Sequence, residues 1–201
     1  MLFFLYLLKT YKMIKLGKQE IPNVINELTI EQFEKVSEFT NNQELDAFEK
    51  WVSVFTYLGA DENEVNEMDF SEFKDKVKEF NTVTYKAPTK FKKTIELEGY
   101  KYVSYDKKFK LSVRDIKHIE KIIKKDPTRY VSKMLAVIFK REDLDTVEHY
   151  SDAHIKHKAN LFKSVNAEIA LPFMAYVAEK LKDTAKQMTN EVAAVVESNN
   201  G

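Results

Sequence analysis

Apolar positions along residues 28–56 fall at helical spacing, and the same series returns over 111–139 without a gap, at a constant offset of 83. Leu28 matches Leu111, Ile30 matches Val113, Phe33 matches Ile116, Val36 matches Ile119 and Phe39 matches Ile122. The series continues with Phe48/Val131, Trp51/Met134, Val52/Leu135, Val54/Val137 and Phe55/Ile138. Residues spaced this way line one stripe of a helix, and that stripe must face a core. Each copy opens with a hydroxyl residue and a polar residue three positions on, Thr29…Gln32 and Ser112…Asp115, the signature of a helix N-terminus. Only Leu28/Leu111, Lys50/Lys133 and Val54/Val137 are identical pairs, so pattern and register carry the reading of a duplicated unit.

The elements follow from this patterning. Ile14–Leu16 reads as a strand, and Ile21-Pro22-Asn23 as a turn or extended stretch, because proline moves its predecessor out of the helical region. Thr29 opens a first helix that Thr40-Asn41-Asn42 breaks. A second runs from about Glu44 to Leu58, where Gly59 ends it. A third follows through Phe70, Phe73, Val77 and Phe80, and the acidic run Asp61–Asp69 reads as irregular. Thr82–Tyr85 and Phe91–Leu97 favour strand. Glu98-Gly99 is a turn, and Tyr100–Tyr105 alternates like a returning strand. Ser112 then caps a helix through Ile123, and Asp126-Pro127 restarts the chain with proline at a favoured first position. A helix over Asp152–Val165 and a long last one over Ala167–Val196, kinked at Pro172, complete the series. The expected fold is mainly α with short β-hairpins, an α+β class. It divides into an apolar extension (1–13), a first helical unit (14–81), a hairpin connector (82–110), a second helical unit (111–166) and a C-terminal helix with a polar tail (167–201).

Leu2–Leu8 is a seven-residue apolar run, too short for a membrane span of about 20 residues. It lacks the basic lead and small-residue cleavage site of a signal peptide. Met13-Ile14-Lys15-Leu16-Gly17 reads as the natural start, with an apolar tip docking on a partner subunit as the alternative.

Charge changes the picture. The net charge is zero, but fifteen acidic residues stand against five lysines between Asn26 and Asn81. Between Lys86 and Lys125, thirteen basic residues stand against five acidic. The simple reading is two solvated helical surfaces. The sharper one is complementarity, in which an acidic face carrying Glu31, Glu34 and Glu38 meets a basic face carrying Lys117, Lys121 and Lys124 on the next copy. Contacts of that kind build rings or filaments.

Candidate chemistry is sparse. There is no cysteine, so neither a disulfide nor a thiolate metal site exists. His149, His154 and His157 stand near Glu148 and Asp152, but the HExxH arrangement is missing and surface histidines are the simpler reading. The acidic run Asp61–Asp69 lacks the spacing and central glycine of a calcium loop. Tyr100 and Tyr102, interleaved with Lys101 and followed by Lys107 and Lys108, are the residues that would stack bases and hold phosphates. No nucleophile–base pair is evident, so neither an enzyme nor a cofactor is expected.

One resemblance rests on particular stretches. Ile14-Lys15-Leu16-Gly17, Ile21-Pro22 and Glu27-Leu28-Thr29-Ile30-Glu31-Gln32-Phe33 resemble the opening of small proteins from the tail-gene regions of tailed bacteriophages. Lys125-Asp126-Pro127, Met134–Phe139, Tyr150-Ser151 and Leu161-Phe162 resemble their later helices. The likeness spans most of residues 14–180, and the Lys-, Asn-, Ile- and Phe-rich composition suits a crAss-like phage of gut Bacteroides. The N-terminal tip and the stretch after Leu181 depart from the pattern. The resemblance implies a non-enzymatic structural protein, tail-associated or packaged in the virion, whose partners are other phage structural proteins. The alternatives are a tail assembly chaperone acting in the host cytoplasm and absent from the finished virion, and a nucleic-acid-binding module.

Overall fold

The computed structural model describes residues 13–22, 27–81, 91–104, 111–143 and 151–182. The N-terminal apolar run, Thr82–Tyr85, Lys107, Lys108, Glu148 and His149 lie outside them. The fold is α+β, mainly helical, with one two-stranded and one three-stranded antiparallel sheet among the described residues.

β1 (Met13–Leu16) and β2 (Gln19–Pro22) form a hairpin in which Ile14 faces Ile21. Ile14, Leu16 and Ile21 alternate inward and are fully buried, so of the two readings of Ile21-Pro22, turn or extended, the extended one holds, as the end of a strand over 19–22. Pro22 is tolerated there because it ends the strand. α1 (Ile30–Asn41) begins at the expected capping box. The Gln32 amide N–H donates to Thr29 Oγ1, and the Gln32 side chain accepts from the Thr29 N–H. α2 (Ala47–Tyr57) starts three residues later than expected because Asp46 captures the Phe48 and Glu49 amides. α3 (Glu62–Asn66) occupies the acidic run that the sequence left irregular. Asp61 caps it, and Val65 is its one buried residue, too little apolar periodicity to be seen in advance. α4 (Phe70–Asn81) follows. A first core gathers the hairpin, Leu28, Val52, Phe55, Val65, Phe73 and Phe80, with Phe55 edge-on to Phe73 and Phe80, and Trp51 edge-on to Phe80 and tilted against Phe55.

The order hairpin, helix, helix then recurs. β3 (Thr94–Leu97) and β4 (Tyr100–Val103) turn through Glu98 and Gly99, both with positive φ, as a two-residue hairpin loop of this twist requires. α5 (Val113–Lys125) carries the second capping box, Ser112/Asp115. α6 (Val131–Ile138) begins beyond Pro127, which stands in a bend and not in the helix. β5 (Lys140–Arg141) adds to the far side of β4 and makes β4 the central strand. α7 (Asp152–Phe162) packs along α6. The second core is built on Met134, Leu135, Val137, Ile138 and Phe139, closed by Phe162, Phe173 and Val177.

The expected helix from Ala167 is not continuous. Residues Ala167–Ile169 form a single 3-10 turn capped by Asn166, and a separate helix, α8, runs over 171–182. Pro172 is buried in the first turn of α8, where its missing N–H costs nothing, so the break precedes it. Any extension past 182 lies outside the described residues.

α1 belongs to both cores. Thr29 bridges Asn166, the Ile30 amide donates to Val165 O (2.8 Å), and the Ala167 amide donates to Leu28 O (2.8 Å). Ile30 is buried in the second core and Phe33 packs on both. This explains where the 83-residue register fails. Val52/Leu135 and Val54/Val137 are buried in both copies, but Ile30 is buried while Val113 is 72% exposed. α1 is covered on two sides, whereas the start of α5 is not.

Candidate functional site

Glu31, Glu34, Lys35 and Glu38 lie three and four residues apart and therefore share one face of α1. Opposite them, the α6 entry supplies Asp126, Arg129, Ser132 and Lys133, and α7 with the turn after it supplies Lys156, Ala159, Asn160 and Lys163. With Tyr57 of α2 they line a cleft of about 510 Å³. The acidic face of the first half thus meets a basic face of the second half inside one chain.

Glu34 is the centre of this contact. Its carboxylate is buried and accepts the Ser132 amide N–H at 2.7 Å and the Ser132 hydroxyl at 3.2 Å. α6 has no side-chain cap of its own at Tyr130, so Glu34 caps it from across the interface. The contrast with α2 is direct. There Asp46 is the cap, and its register partner 83 positions on is Arg129, which cannot accept a hydrogen bond. Burial raises the Glu34 pKa against the lowering effect of the Ser132 bonds and of Lys133 and Lys163. Tyr130, half-buried beside it, is also raised by burial.

Glu38 pairs with Arg129 through a close charge-assisted contact and with Lys35 at 3.2 Å. The Arg129 bond holds the Glu38 carboxyl below its ordinary range. Asp126 binds Lys133 at 3.1 Å and accepts the Arg129 amide, and it too is lowered, against its own desolvation. Glu31 reaches Lys163 at 3.6 Å. The acids of the cleft are each engaged by a base or a helix terminus. Chemically the cleft is a fastener between two halves, with Lys156 making no ion pair among the described residues.

The predicted contact residues therefore separate. Glu31, Glu34 and Glu38 have their partners within the chain, and Glu34 is not available to another copy. Lys117 and Lys121 are exposed on α5, and Lys124 pairs with Glu120 at 2.7 Å. What sequence reasoning missed is Ser132 and Arg129, the receiving side of the fastener. No local signal marked them, because Asp126 and Thr128 stand just ahead of α6 as ordinary cap candidates while the carboxylate that caps it lies on α1.

The candidate stacking residues separate too. Tyr102 is buried edge-on to Phe162, with the Lys158 ammonium 5.8 Å from its ring, and offers no face to a base. Tyr100 is exposed but carries the Arg141 guanidinium over its ring at 3.7 Å, and Lys101 pairs with Glu142 at 2.8 Å. His154 and His157 are exposed on α7, and the described residues contain no cluster of three or more metal-ligating side chains. No helix among them is long and apolar enough to cross a membrane. Comparison with protein-family models, with curated proteins and with solved structures found no match for this chain.

Proposed function

We propose that this protein works by protein–protein contact, without chemistry of its own, as a structural component of a tailed-phage virion, tail-associated or packaged. The observation that carries the contact reading is Phe70. It is 72% exposed at the start of α4, a helix whose Phe73 and Phe80 are core, and exposed acidic residues flank it in the sequence. A large aromatic side chain held out of a core among charges suits an interface anchor. The phage assignment rests on the sequence likeness over residues 14–180. Quantitative mass spectrometry of purified particles tests it. A fixed copy number per particle is the expected result. Absence from particles together with abundance in infected lysate points to a tail assembly chaperone instead. Absence from both overturns the phage assignment.

A further inference from the structure

A second groove lies between α5, α6 and α7, with a volume of about 380 Å³. Ile122 and Ile155 form its apolar part, and His118, Lys125, Lys133 and Lys156 stand around them. Its one carboxylate, Asp126, is bonded to Lys133. Lys125 and Lys156 are exposed and make no ion pair among the described residues. Lys117 and Lys121 precede Lys125 at intervals of four, so a cationic stripe runs down α5 to the groove. An apolar slot at the end of a cationic stripe fits an acidic segment bearing one large apolar side chain.

The same chain carries such a segment. Phe70 projects where α3 gives way to α4, flanked by Glu67, Asp69, Glu72 and Asp75, all exposed. None of these four carboxylates makes an ion pair among the described residues, although Asp69 accepts the Ser71 amide at 2.8 Å. Phe70 does not line its own chain's groove, and α4 packs on β1 and, through Phe73 and Phe80, on α2 in the first core.

We propose that the α5–α7 groove receives Phe70 and its carboxylates from a second copy of this chain, in a head-to-tail contact. This rests on the contact reading above and names the partner. Donor and acceptor are different surfaces, so each copy docked by its groove still presents its own Phe70. Growth then continues into a ring or a filament, according to whether the rotation closes. The contact is small and charge-dominated, which sets it at the weak, salt-sensitive end of protein association.

The test is sedimentation velocity of the full chain at about 100 µM, at low ionic strength and again at about 0.5 M salt. Two variants alter exposed positions and leave both cores intact: Phe70→Ser on the donor side, and Lys125→Glu with Lys156→Glu on the acceptor side. The wild type should grow in mass with concentration and lose that growth in salt, and each variant alone should stay monomeric. A mixture of the two variants should form a dimer and stop there, because one intact donor meets one intact acceptor. A Phe70→Ser chain that assembles like the wild type, or a mixture that stays monomeric while the wild type associates, overturns the proposal. So does a wild type that remains monomeric at low salt. In that last case, finding the chain at fixed copy number in particles leaves the contact reading standing and removes only self-docking.

Discussion

Glu34 is a carboxylate that burial alone would disfavour, held in place by the helix terminus it caps. Removing it leaves the Ser132 amide buried without an acceptor. Glu34→Ala should therefore cost about 2 kcal/mol of unfolding free energy, read by urea denaturation at neutral pH. Glu34→Gln keeps both bonds, since the amide oxygen can accept from the Ser132 N–H and the amide nitrogen can donate to its hydroxyl. It should fall within about 1 kcal/mol of the wild type. The pH dependence has a definite sign. Glu34 has a folded pKa above its ordinary value of 4.5, so the folded state holds the proton longer, and its contribution weakens as pH rises through that window. Glu38 and Asp126 act the other way. Their folded values are lowered, so the stability they give is complete above their ordinary values and is lost as pH falls through the folded ones. Both chains share those two groups. The wild type minus Glu34→Gln difference, measured by urea titration from acid to neutral pH, should therefore move against the wild type as pH rises and then level off. A flat difference throughout would remove Glu34 as a buried titrating group.

At the scale of elements, the hairpins show how much the sequence could reveal. Gly17 has φ +58°, and a Cβ built there would lie 1.9 Å from Glu64 Oε2 of α3. Glu64 accepts the Lys18 amide at 3.1 Å, so the first hairpin turn is pinned to α3 by one carboxylate. Gly99 has φ +78° with nothing near its missing Cβ. Gly99→Ala should cost about 1 kcal/mol, the backbone penalty alone, and Gly17→Ala should cost more, because Glu64 must also give up its bond. Thermal unfolding of the two variants reads the difference, and equal losses would mean that Glu64 does not hold the turn. The second hairpin was legible because Glu-Gly between alternating residues is a strong local signal. The strand at Gln19–Pro22 was legible only as a turn or extended stretch at its end, because four residues ending in proline carry too little periodicity to choose. Both capping boxes were legible because their spacing is fixed. The cap on α6 was invisible, since its acceptor lies 98 residues away. The acidic face of α1 could be read from composition. That its partners lie in the same chain could not, because charge counts carry no geometry.

At the scale of the whole molecule, α1 decides whether the chain behaves as one body. It gives Val36 to the first core and Ile30 to the second, and Phe33 to the surface of both, and Leu28 just before it is buried in the first. It also ties its start to residues 163–167 by backbone hydrogen bonds and caps α6 through Glu34. Neither core is complete without it. The chain should consequently unfold in one cooperative step, with a calorimetric to van't Hoff enthalpy ratio of about 1. A fragment spanning 91–201 retains α5, α6, α7 and most of the second core but lacks Ile30, the Glu34 cap and the strand-like contact of Thr29 with Asn166. It should lose its cooperative transition, while its helical circular dichroism persists in part. Adding a 13–81 fragment in trans should restore that transition, because the fragment brings α1 with every group named above. If 91–201 unfolds cooperatively alone, at a midpoint near that of the whole chain, the two halves are independent domains. The fastener between them would then be a docking contact and not part of either fold.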